Sequence, residues 1–375
     1  MTVPSTVLLT GATGSLGPTI VAEILRRRGT VIALVRPSRE MPRLDIEPEL
    51  GQLDVISGDL KRRDGALSVE DRRMLSGRVT HVLHLAAETR FSLDLPEALS
   101  GNLHATHVLL RLAQDFDRLQ GFGFASTLYV AGTRTGDILE QELEETGFVN
   151  TYEQAKFETE RALRARMKEL PIAVYRMATL LGSRRTGEIR KPTAIHQAFR
   201  LHHRGLIPMI PGDPDQRVEL LDTEHAAEAI SRLLLETFNP GMTYHLTVGP
   251  DRAFTLAELI EETHRVFEEQ STEWARRGIE FPPIVSPRAY ALFEHSVQEA
   301  GDPALKAIVR GLATFLPQLG HPKRFDRTNA VAALPDWDPP HPREYLSRVL
   351  GYLLGIGWLS SDPRTRARRR IPSPR

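Results

Sequence analysis

The sequence predicts an α/β fold, in which a doubly wound parallel sheet is joined to a smaller, mostly C-terminal lobe. Strand-like and helix-like segments alternate through the first half of the 375 residues, as they do in chains built from βαβ units. A glycine-rich turn connects the first strand to the first helix, at a position where such sheets bind ligands. From about Gly182 onwards prolines interrupt the alternation, which indicates a separate lobe of loops and short helices.

The apolar pattern places the elements in chain order. We expect strands at residues 6–9, 31–35, 79–85, 123–125 and 172–175, a further strand before Gly58, and helices at 19–28, 98–115 and 152–168. The sheet domain is therefore predicted to cover residues 1–181 and to return at about 215–250. A substrate-binding lobe with the C-terminal helices is predicted for 182–360, and a basic, disordered tail for 361–375.

Composition excludes several classes of function. Lys plus Arg and Asp plus Glu each number 48, so no net charge attracts the chain to nucleic acid. The chain has no cysteine, which excludes disulfides, a thiolate nucleophile and a Cys-ligated metal and is typical of a reducing compartment. We find no signal peptide and no apolar run long enough to span a membrane. The expectation is a cytoplasmic protein that acts on a small molecule and holds no metal.

The first turn has the spacing Gly-x-x-Gly-x-x-Gly, at Gly11, Gly14 and Gly17. We expect Gly11 to allow a tight turn, Gly14 to let the backbone approach a pyrophosphate, and Gly17 to let the helix pack closely on the strand. Free amides at the start of the helix would then face the phosphates. The pattern predicts a dinucleotide site of the Rossmann type, to which we also assign Thr13, Ser15 and Leu16.

The end of the second strand indicates which dinucleotide binds. An NAD-preferring enzyme usually has a carboxylate there, to accept hydrogen bonds from the ribose hydroxyls. This chain has Arg36 instead, with Arg39 as a second candidate, and a guanidinium suits a 2′-phosphate. We therefore predict NADP(H) in preference to NAD(H).

Two later strand ends complete the predicted cofactor cleft. Asp59 and Leu60 follow the third strand, where Asp59 is placed to accept a hydrogen bond from the adenine amino group. Ala86 and Ala87 follow the fourth, and their small side chains would let the backbone pass near the pyrophosphate and ribose. His84, just before them, is interpreted as a structural histidine rather than a base.

A tyrosine and a lysine share one face of a later helix. Asn150 and Glu153 are suited to cap its start, which places Tyr152 in the first turn and Lys156 four residues further on. A cation about 4 Å from the phenol is worth roughly 4 kcal/mol at an effective dielectric of 20, enough to lower the phenol pKa from about 10 towards neutrality. Upstream, Thr127 ends a strand at the edge of the sheet where ligands bind, so its hydroxyl can hold a substrate oxygen beside the tyrosine.

With these motifs, residues 5 to about 265 resemble the extended short-chain dehydrogenase/reductase superfamily. The resemblance implies that Thr127 orients the substrate oxygen and that Tyr152 transfers the proton. It implies that Lys156 binds the nicotinamide ribose and lowers the tyrosine pKa. Asn102, in a helix similar to the Asn-x-x-Gly-Thr helix of these proteins, is expected to support the cofactor site rather than to catalyse.

Within that superfamily, residues 32–36, 126–132 and 182–188 look most like the thioester reductase and fatty acyl-CoA reductase group. This resemblance implies NADPH-dependent reduction of an acyl thioester to an aldehyde or alcohol. The chain departs from sugar-nucleotide epimerases at 130–132, where it has Val-Ala-Gly and they have Val-Tyr-Gly. It departs from thioester reductases at Met177, where they typically have proline.

Several alternatives stay open at this point. The substrate can equally be a free ketone, an aldehyde or a quinone-like carbonyl, and a sugar-nucleotide epimerase or dehydratase and a non-catalytic NADP(H)-binding regulator are further candidates. A thioester would arrive on coenzyme A or on a carrier protein, and Arg184 and Arg185 would suit the phosphate of a phosphopantetheine arm. Residues 345–359 are interpreted either as a buried terminal helix or as an amphipathic helix that contacts a membrane.

Overall fold

The computed structural model describes residues 5–37, 51–313 and 316–358. Its centre is a sheet of seven parallel strands, numbered β1 to β7 along the chain and arranged in the order β7-β6-β5-β4-β1-β2-β3. The strands are β1 Thr6–Thr10, β2 Thr30–Val35, β3 Gln52–Ser57, β4 His81–His84, β5 Gly121–Thr127, β6 Ile172–Met177 and β7 Thr243–Leu246. The predicted doubly wound parallel sheet is confirmed, and the return to it after residue 215 is β7.

The direction of winding reverses beside β1. The chain passes from β1 to β2 and β3 on one side, and then crosses to β4 on the other side of β1. In sheets of this kind the crevice at the carboxyl ends of the strands flanking such a reversal is the usual ligand site. Here that crevice lies beyond Thr10 and His84.

Thirteen α-helices are present in the described parts of the chain, and two groups of them cover the faces of the sheet. Each face carries its own apolar cluster, which explains why the strands read as almost continuous runs of buried residues. The helices are α1 Gly17–Arg26, α2 Val69–Arg78, α3 Leu95–Leu99, α4 Ala105–Gln114, α5 Thr151–Arg164, α6 Ala194–His203, α7 Thr223–Leu235, α8 Leu256–Gln270, α9 Thr272–Arg276, α10 Pro287–Ala300, α11 Pro303–Leu312, α12 Thr328–Ala333 and α13 Arg343–Gly355.

The helix predicted at 98–115 is divided into three parts. Its first turn belongs to α3, a π-helical turn follows at Ser100–His104, and α4 begins at Ala105. The side chain of Asn102, inside the π turn, bonds the backbone of Glu88 and of Ala98. The helix predicted at 152–168 ends earlier than expected, at Arg164.

A third apolar cluster forms the core of the later lobe, between α6, α8, α10, α11 and α13. Short strands lie outside the main sheet, at Gly136–Ile138, Thr179–Gly182, Ile210–Pro211, Arg217–Val218, Leu220–Asp222, Phe254–Thr255, Ile284–Val285 and Lys323–Phe325. The pairing of Lys323–Phe325 with Gly136–Ile138 links the late part of the chain to the first half. 3-10 turns lie at Leu128–Ala131 and Leu316–Gly320.

The apolar face of α13 is buried in this lobe through Tyr345, Leu346, Val349, Leu350 and Leu353. The membrane-contacting interpretation of residues 345–359 is therefore wrong for the described part of that segment, because the face it needs is occupied by core packing. Among the described residues, no helix has the length and apolarity that crossing a membrane requires. The predicted tail at 361–375 lies outside the described residues.

Candidate active site

The glycine turn is shaped by close contacts between backbone segments. Gly11 has φ +79°, and a Cβ there would lie 2.7 Å from the amide nitrogen of Ala86. A Cβ on Gly17 would lie 2.4 Å from the carbonyl oxygens of Gly11 and Ala12, and one on Gly14 would lie 2.9 Å from the carbonyl oxygen of Gly11. The turn therefore requires glycine at all three positions for its own geometry, and α1 starts at Gly17, directly after the turn, where first-turn amides have no partner within the helix. This cradle fits a dinucleotide pyrophosphate.

The other predicted cofactor residues differ in how far their side chains are exposed. Thr13 and Ser15 are half-buried in the turn, whereas the side chain of Leu16 packs into the core. Arg36 is exposed directly after β2, while Arg39 lies outside the described residues. The structure thus leaves the guanidinium of Arg36 accessible at the strand end where it was expected.

At the next two strand ends the contacts are mainly within the loops. The Asp59 carboxylate accepts a 3.0 Å hydrogen bond from the Lys61 amide, and Leu60 is buried in the core. Ala86 is half-buried and donates its amide to Thr10 Oγ1 at 3.2 Å, and Ala87 is exposed. Ala86 is thus held against the end of β1, whereas the cofactor contacts predicted for Asp59, Leu60 and Ala87 stay predictions.

His84 joins two elements below that crevice. Its Nδ1 lies 2.7 Å from Thr10 Oγ1 and its Nε2 lies 3.0 Å from Thr106 Oγ1. Burial lowers the pKa of His84 to about 3, with a smaller contribution from Lys156. Both ring nitrogens are engaged and the ring stays neutral, which supports the interpretation of a structural histidine.

Asn102 fixes the backbone of the loop that follows β4. It is 2% exposed, and its side-chain amide accepts from the Glu88 amide and donates to the Glu88 and Ala98 carbonyls. These bonds hold the loop that continues from Ala86 and Ala87. Asn102 therefore positions the loop after β4 rather than facing the crevice itself.

The predicted catalytic side chains lie together at the ends of β5 and α5. Asn150 caps α5 by accepting from the Glu153 amide at 3.0 Å, so Tyr152 lies in the first helical turn as expected. The phenol of Tyr152 lies beside the hydroxyl of Thr127, which acts on its pKa as a hydrogen-bonding neighbour. Its ring stacks on Phe91, with 5.4 Å between the ring centroids. Ser126, the neighbouring hydroxyl, instead donates to Glu160 and points to the other side of the strand end.

Burial dominates the electrostatics of this cluster. It raises the pKa of Tyr152 well above its ordinary value, although the neighbouring Thr127 hydroxyl opposes the rise. Lys156 donates to the Ala125 carbonyl at 2.7 Å, and its ammonium lies 3.9 Å from the centre of the Phe124 ring. Burial lowers the pKa of Lys156 to about 7. Burial therefore dominates the pKa of Tyr152, and the expected lowering of that pKa by Lys156 stays a prediction.

A buried ion pair behind the cluster was not predicted. The Glu160 carboxylate accepts from Arg176 Nη2 at 2.7 Å, and these side chains are 4% and 1% exposed respectively. Burial raises the pKa of Glu160, but Arg176, Ser126 and Arg164 together outweigh burial and keep that pKa below its ordinary value. Glu160 follows Lys156 by four residues and so shares its helix face, which is the one signal that pointed to it.

A second network ties the first turn of α5 to the late part of the chain. The Glu153 carboxylate accepts from the Val149 amide and from Gln318 Nε2, both at 3.0 Å. Lys323 Nζ in turn donates to Gln318 Oε1 at 3.1 Å. Burial raises the pKa of Glu153 to about 7 and lowers that of Lys323 to about 8. The residue next to the predicted catalytic tyrosine is thus held by a segment more than 160 positions away.

A cavity of about 1090 Å³ opens from this cluster into the later lobe. Thr127 and Tyr152 line one end, close to Ser15 of the glycine turn. Apolar side chains of the lobe line much of the remainder, among them Phe199, Ile210, Leu256, Leu259, Ile260 and Leu316. The hydroxyls of Thr127 and Tyr152 thus lie at one end of a largely apolar cavity. Its volume is large enough for a drug-sized organic ligand. No cluster of His, Cys, Asp or Glu suited to a metal occurs among residues 5–37, 51–313 and 316–358.

Comparison with known proteins identifies the family. The family model described as male sterility protein, an NAD-binding family, matches residues 9–230, which is more than half of the chain. The chain belongs to this family. The predicted resemblance to extended short-chain dehydrogenases and reductases, closest to the thioester reductase and fatty acyl-CoA reductase group, is confirmed.

Several relatives of this chain are longer proteins, of which the chain matches only a part. The non-reducing polyketide synthase pkiA of Emericella nidulans is 29% identical over 304 residues, which cover 72% of this chain and 12% of the synthase. The fatty acyl-CoA reductase wat of Drosophila melanogaster is 24% identical over 272 residues, which cover 60% of this chain and 53% of that reductase. The chain thus spans about half or less of the length of these two relatives.

Among solved structures, the terminal R domain from the myxalamid PKS-NRPS biosynthetic pathway has the same fold. The two share 22% identity with a TM-score of 0.75, over 96% of this chain and 92% of that domain. The match extends beyond the family region into the later lobe, where the sequence alone indicated no relative.

Proposed function

We propose that this protein is an NADPH-dependent reductase that converts an acyl thioester to an aldehyde, with further reduction to the alcohol as an extension of the same chemistry. The observation that carries the proposal is the pairing of Thr127 and Tyr152 at one end of the large apolar cavity, beside the glycine cradle. Apolar walls suit an acyl chain better than a sugar nucleotide. A cytoplasmic location is part of the same proposal.

In the proposed mechanism the hydroxyls of Thr127 and Tyr152 hold the thioester oxygen. When bound, the nicotinamide supplies the hydride that reaches the carbonyl carbon. Negative charge then develops on the oxygen, and the two hydroxyls stabilise it as an oxyanion hole does. Because burial keeps Tyr152 protonated at neutral pH, its phenol is ready to donate a proton to that oxygen. The resulting hemithioacetal collapses to an aldehyde and a free thiol.

Lys156 has a supporting role in this proposal. Its ammonium is fixed by the Ala125 carbonyl and the Phe124 ring, close to the end of β5. We expect it to contact the ribose next to the nicotinamide and to return a proton to the tyrosine. The Glu160 carboxylate, one helical turn away, raises the pKa of Lys156 against the effect of burial and so favours its charged form.

An arginine side chain lies at the entrance to the cavity, where it could bind a phosphate of the substrate. Arg185 lines the cavity, and its Nε lies 3.7 Å from the Glu224 carboxylate. Its side chain is 67% exposed and therefore accessible to a phosphate at the opening. The proposal includes coenzyme A or a carrier-bound pantetheine arm as the carrier of the acyl group.

The decisive experiment supplies acyl-coenzyme A and carrier-bound thioesters with NADPH, and measures NADPH oxidation together with thiol release. We expect one thiol released for each NADPH if the product is an aldehyde, and one for every two NADPH if the product is an alcohol. Reduction of free ketones or aldehydes with no thiol release from any thioester would reject the proposal and leave a carbonyl reductase of the same fold.

Cofactor preference gives a second prediction. We expect NADPH to bind more tightly than NADH, and Arg36→Asp to narrow or invert that preference, because a carboxylate repels the 2′-phosphate and accepts from the ribose hydroxyls. Titration of both cofactors against both proteins measures the effect. Arg118→Asp is the matched control, since Arg118 is exposed in the turn before β5. That turn lies at the amino ends of the strands, whereas Arg36 follows the carboxyl end of β2. A wild-type preference for NADH would show that Arg36 does not select the cofactor.

A further inference from the structure

A buried carboxyl lies in the wall of the substrate cavity and has no role in the mechanism above. Glu219 is 6% exposed and lines the cavity. Its Oε2 accepts from the Thr247 hydroxyl, whereas its Oε1 has no hydrogen-bond partner among the described residues. A buried polar atom without a partner is energetically unfavourable, so a ligand group that hydrogen-bonds to it there is favoured.

Glu219 is close to the reacting end of the cavity. The Glu219 carbonyl accepts from the Thr179 amide at 3.1 Å, and the Thr179 hydroxyl lies 3.0 Å from the Tyr129 phenol oxygen. The charge of Glu219 acts on Tyr129, and Tyr129 in turn acts on Tyr152. Glu219 and Tyr152 therefore both lie near Tyr129. Tyr129 and Thr179 also line the cavity.

The protonation state suits a hydrogen bond with a neutral group. Burial raises the pKa of Glu219 to about 7, although Thr247, Arg327 and Arg217 act in the opposite direction. Near neutral pH a substantial fraction of the carboxyl is therefore protonated, and this form both donates and accepts hydrogen bonds. An uncharged hydroxyl or carbonyl is a better match than a cation or an anion.

The apolar surroundings indicate which part of the substrate meets this carboxyl. Its neighbours Val218 and Leu220 are 9% and 0% exposed and belong to the apolar cluster of the lobe. The pantetheine arm would lie towards the solvent, near exposed Arg185, and the acyl chain towards this cluster. Glu219 is thus one of the polar groups, with Tyr129 and Thr179, in the part of the cavity wall that would face the first carbons of the acyl chain.

We propose that Glu219, with Tyr129 and Thr179, selects acyl thioesters that carry a hydroxyl or carbonyl oxygen on the carbons next to the thioester. The inference deepens the proposed function and rests on it. An acyl chain without such an oxygen would leave the Glu219 oxygen without a partner in a desolvated site. A site built to bond a substrate hydroxyl discriminates strongly against the analogue that lacks it.

The test compares dodecanoyl-coenzyme A with β-hydroxydodecanoyl-coenzyme A, which share the same arm and chain length. We expect the wild-type kcat/KM to be at least roughly 10-fold higher for the hydroxylated substrate. Glu219→Leu should abolish this ratio by lowering kcat/KM for the hydroxylated substrate. Glu219→Gln, which keeps the shape and the hydrogen-bonding groups, should restore most of it. The ratio is insensitive to a general loss of folded enzyme.

The outcomes separate this inference from the proposed function. If neither thioester is reduced, the proposed function fails. If the wild type reduces both with equal kcat/KM, the function stands and the inference is overturned. Equal losses for both substrates in Glu219→Leu would also overturn it, because the side chain would then contact the common arm or support the wall without recognising the acyl chain.

Discussion

Replacing Tyr152 by phenylalanine is expected to lower turnover by roughly 10²- to 10⁴-fold, the usual contribution of a positioned proton donor. The exchange keeps the ring that stacks on Phe91 at 5.4 Å and removes only the hydroxyl that lies beside Thr127. Cofactor affinity should therefore stay nearly unchanged. The measurement is kcat for the best thioester found, together with NADPH titration of the same preparation.

Lys156→Ala serves as the contrasting variant. Because Lys156 is expected to contact the ribose as well as the tyrosine, its loss should lower both turnover and cofactor affinity. Phenylalanine at position 152 with full activity would assign the proton transfer to another group. Equal cofactor affinity in the wild type and in Lys156→Ala would remove the lysine from the cofactor site.

Replacing Glu160 by glutamine is expected to lower the free energy of unfolding by about 3–5 kcal/mol, since Arg176 would remain buried without its counterion. Arg176 is 1% exposed and bonds the carboxylate through both Nε and Nη2. Urea unfolding at neutral pH measures the loss. Glu158→Gln is the matched control on the same helix, because its partner Arg161 is 64% exposed and such surface pairs contribute less than about 1 kcal/mol.

The pair also sets an expected pH dependence. The pKa of Glu160 is lower in the folded chain than its ordinary value. Its contribution is therefore fully present above roughly pH 4–5, the range of an unfolded glutamate, and is lost as the pH falls through the folded pKa. Glu160→Gln should lack this part of the acid-dependent loss. Similar losses of stability in Glu160→Gln and Glu158→Gln would contradict the assignment.

Local sequence signals predicted the parts of the site that depend on neighbouring residues. The glycine turn, the cap at Asn150 and the helix face shared by Tyr152 and Lys156 each involve positions within a few residues of one another. Backbone geometry dictates such features directly. The alternation of strands and helices likewise predicted the sheet, because every strand except the edge strand β3 is buried on both faces and reads as an apolar run.

Features that depend on distant segments could not be predicted in this way. The raised pKa of Tyr152 results from burial under side chains that the sequence does not bring near it. The π turn around Asn102 results from bonds to Glu88, fourteen positions earlier. Glu219 looks like an ordinary charged residue between two apolar ones, and only the packing of the later lobe makes it a buried acid.

The network of Glu153, Gln318 and Lys323 has a consequence for synthesis of the chain on the ribosome. Tyr152 emerges 171 residues before Lys323, which corresponds to roughly 10 to 30 s at the usual 5–20 residues per second. During that interval Asn150 and Glu153 are both present to form the local cap of α5, but the Glu153 carboxylate has no Gln318 to bond. The apolar chamber also lacks the wall that includes Leu316. A nascent chain at this stage exposes apolar side chains that the later lobe covers in the complete protein. The risk of aggregation is therefore expected to be highest during the second half of translation.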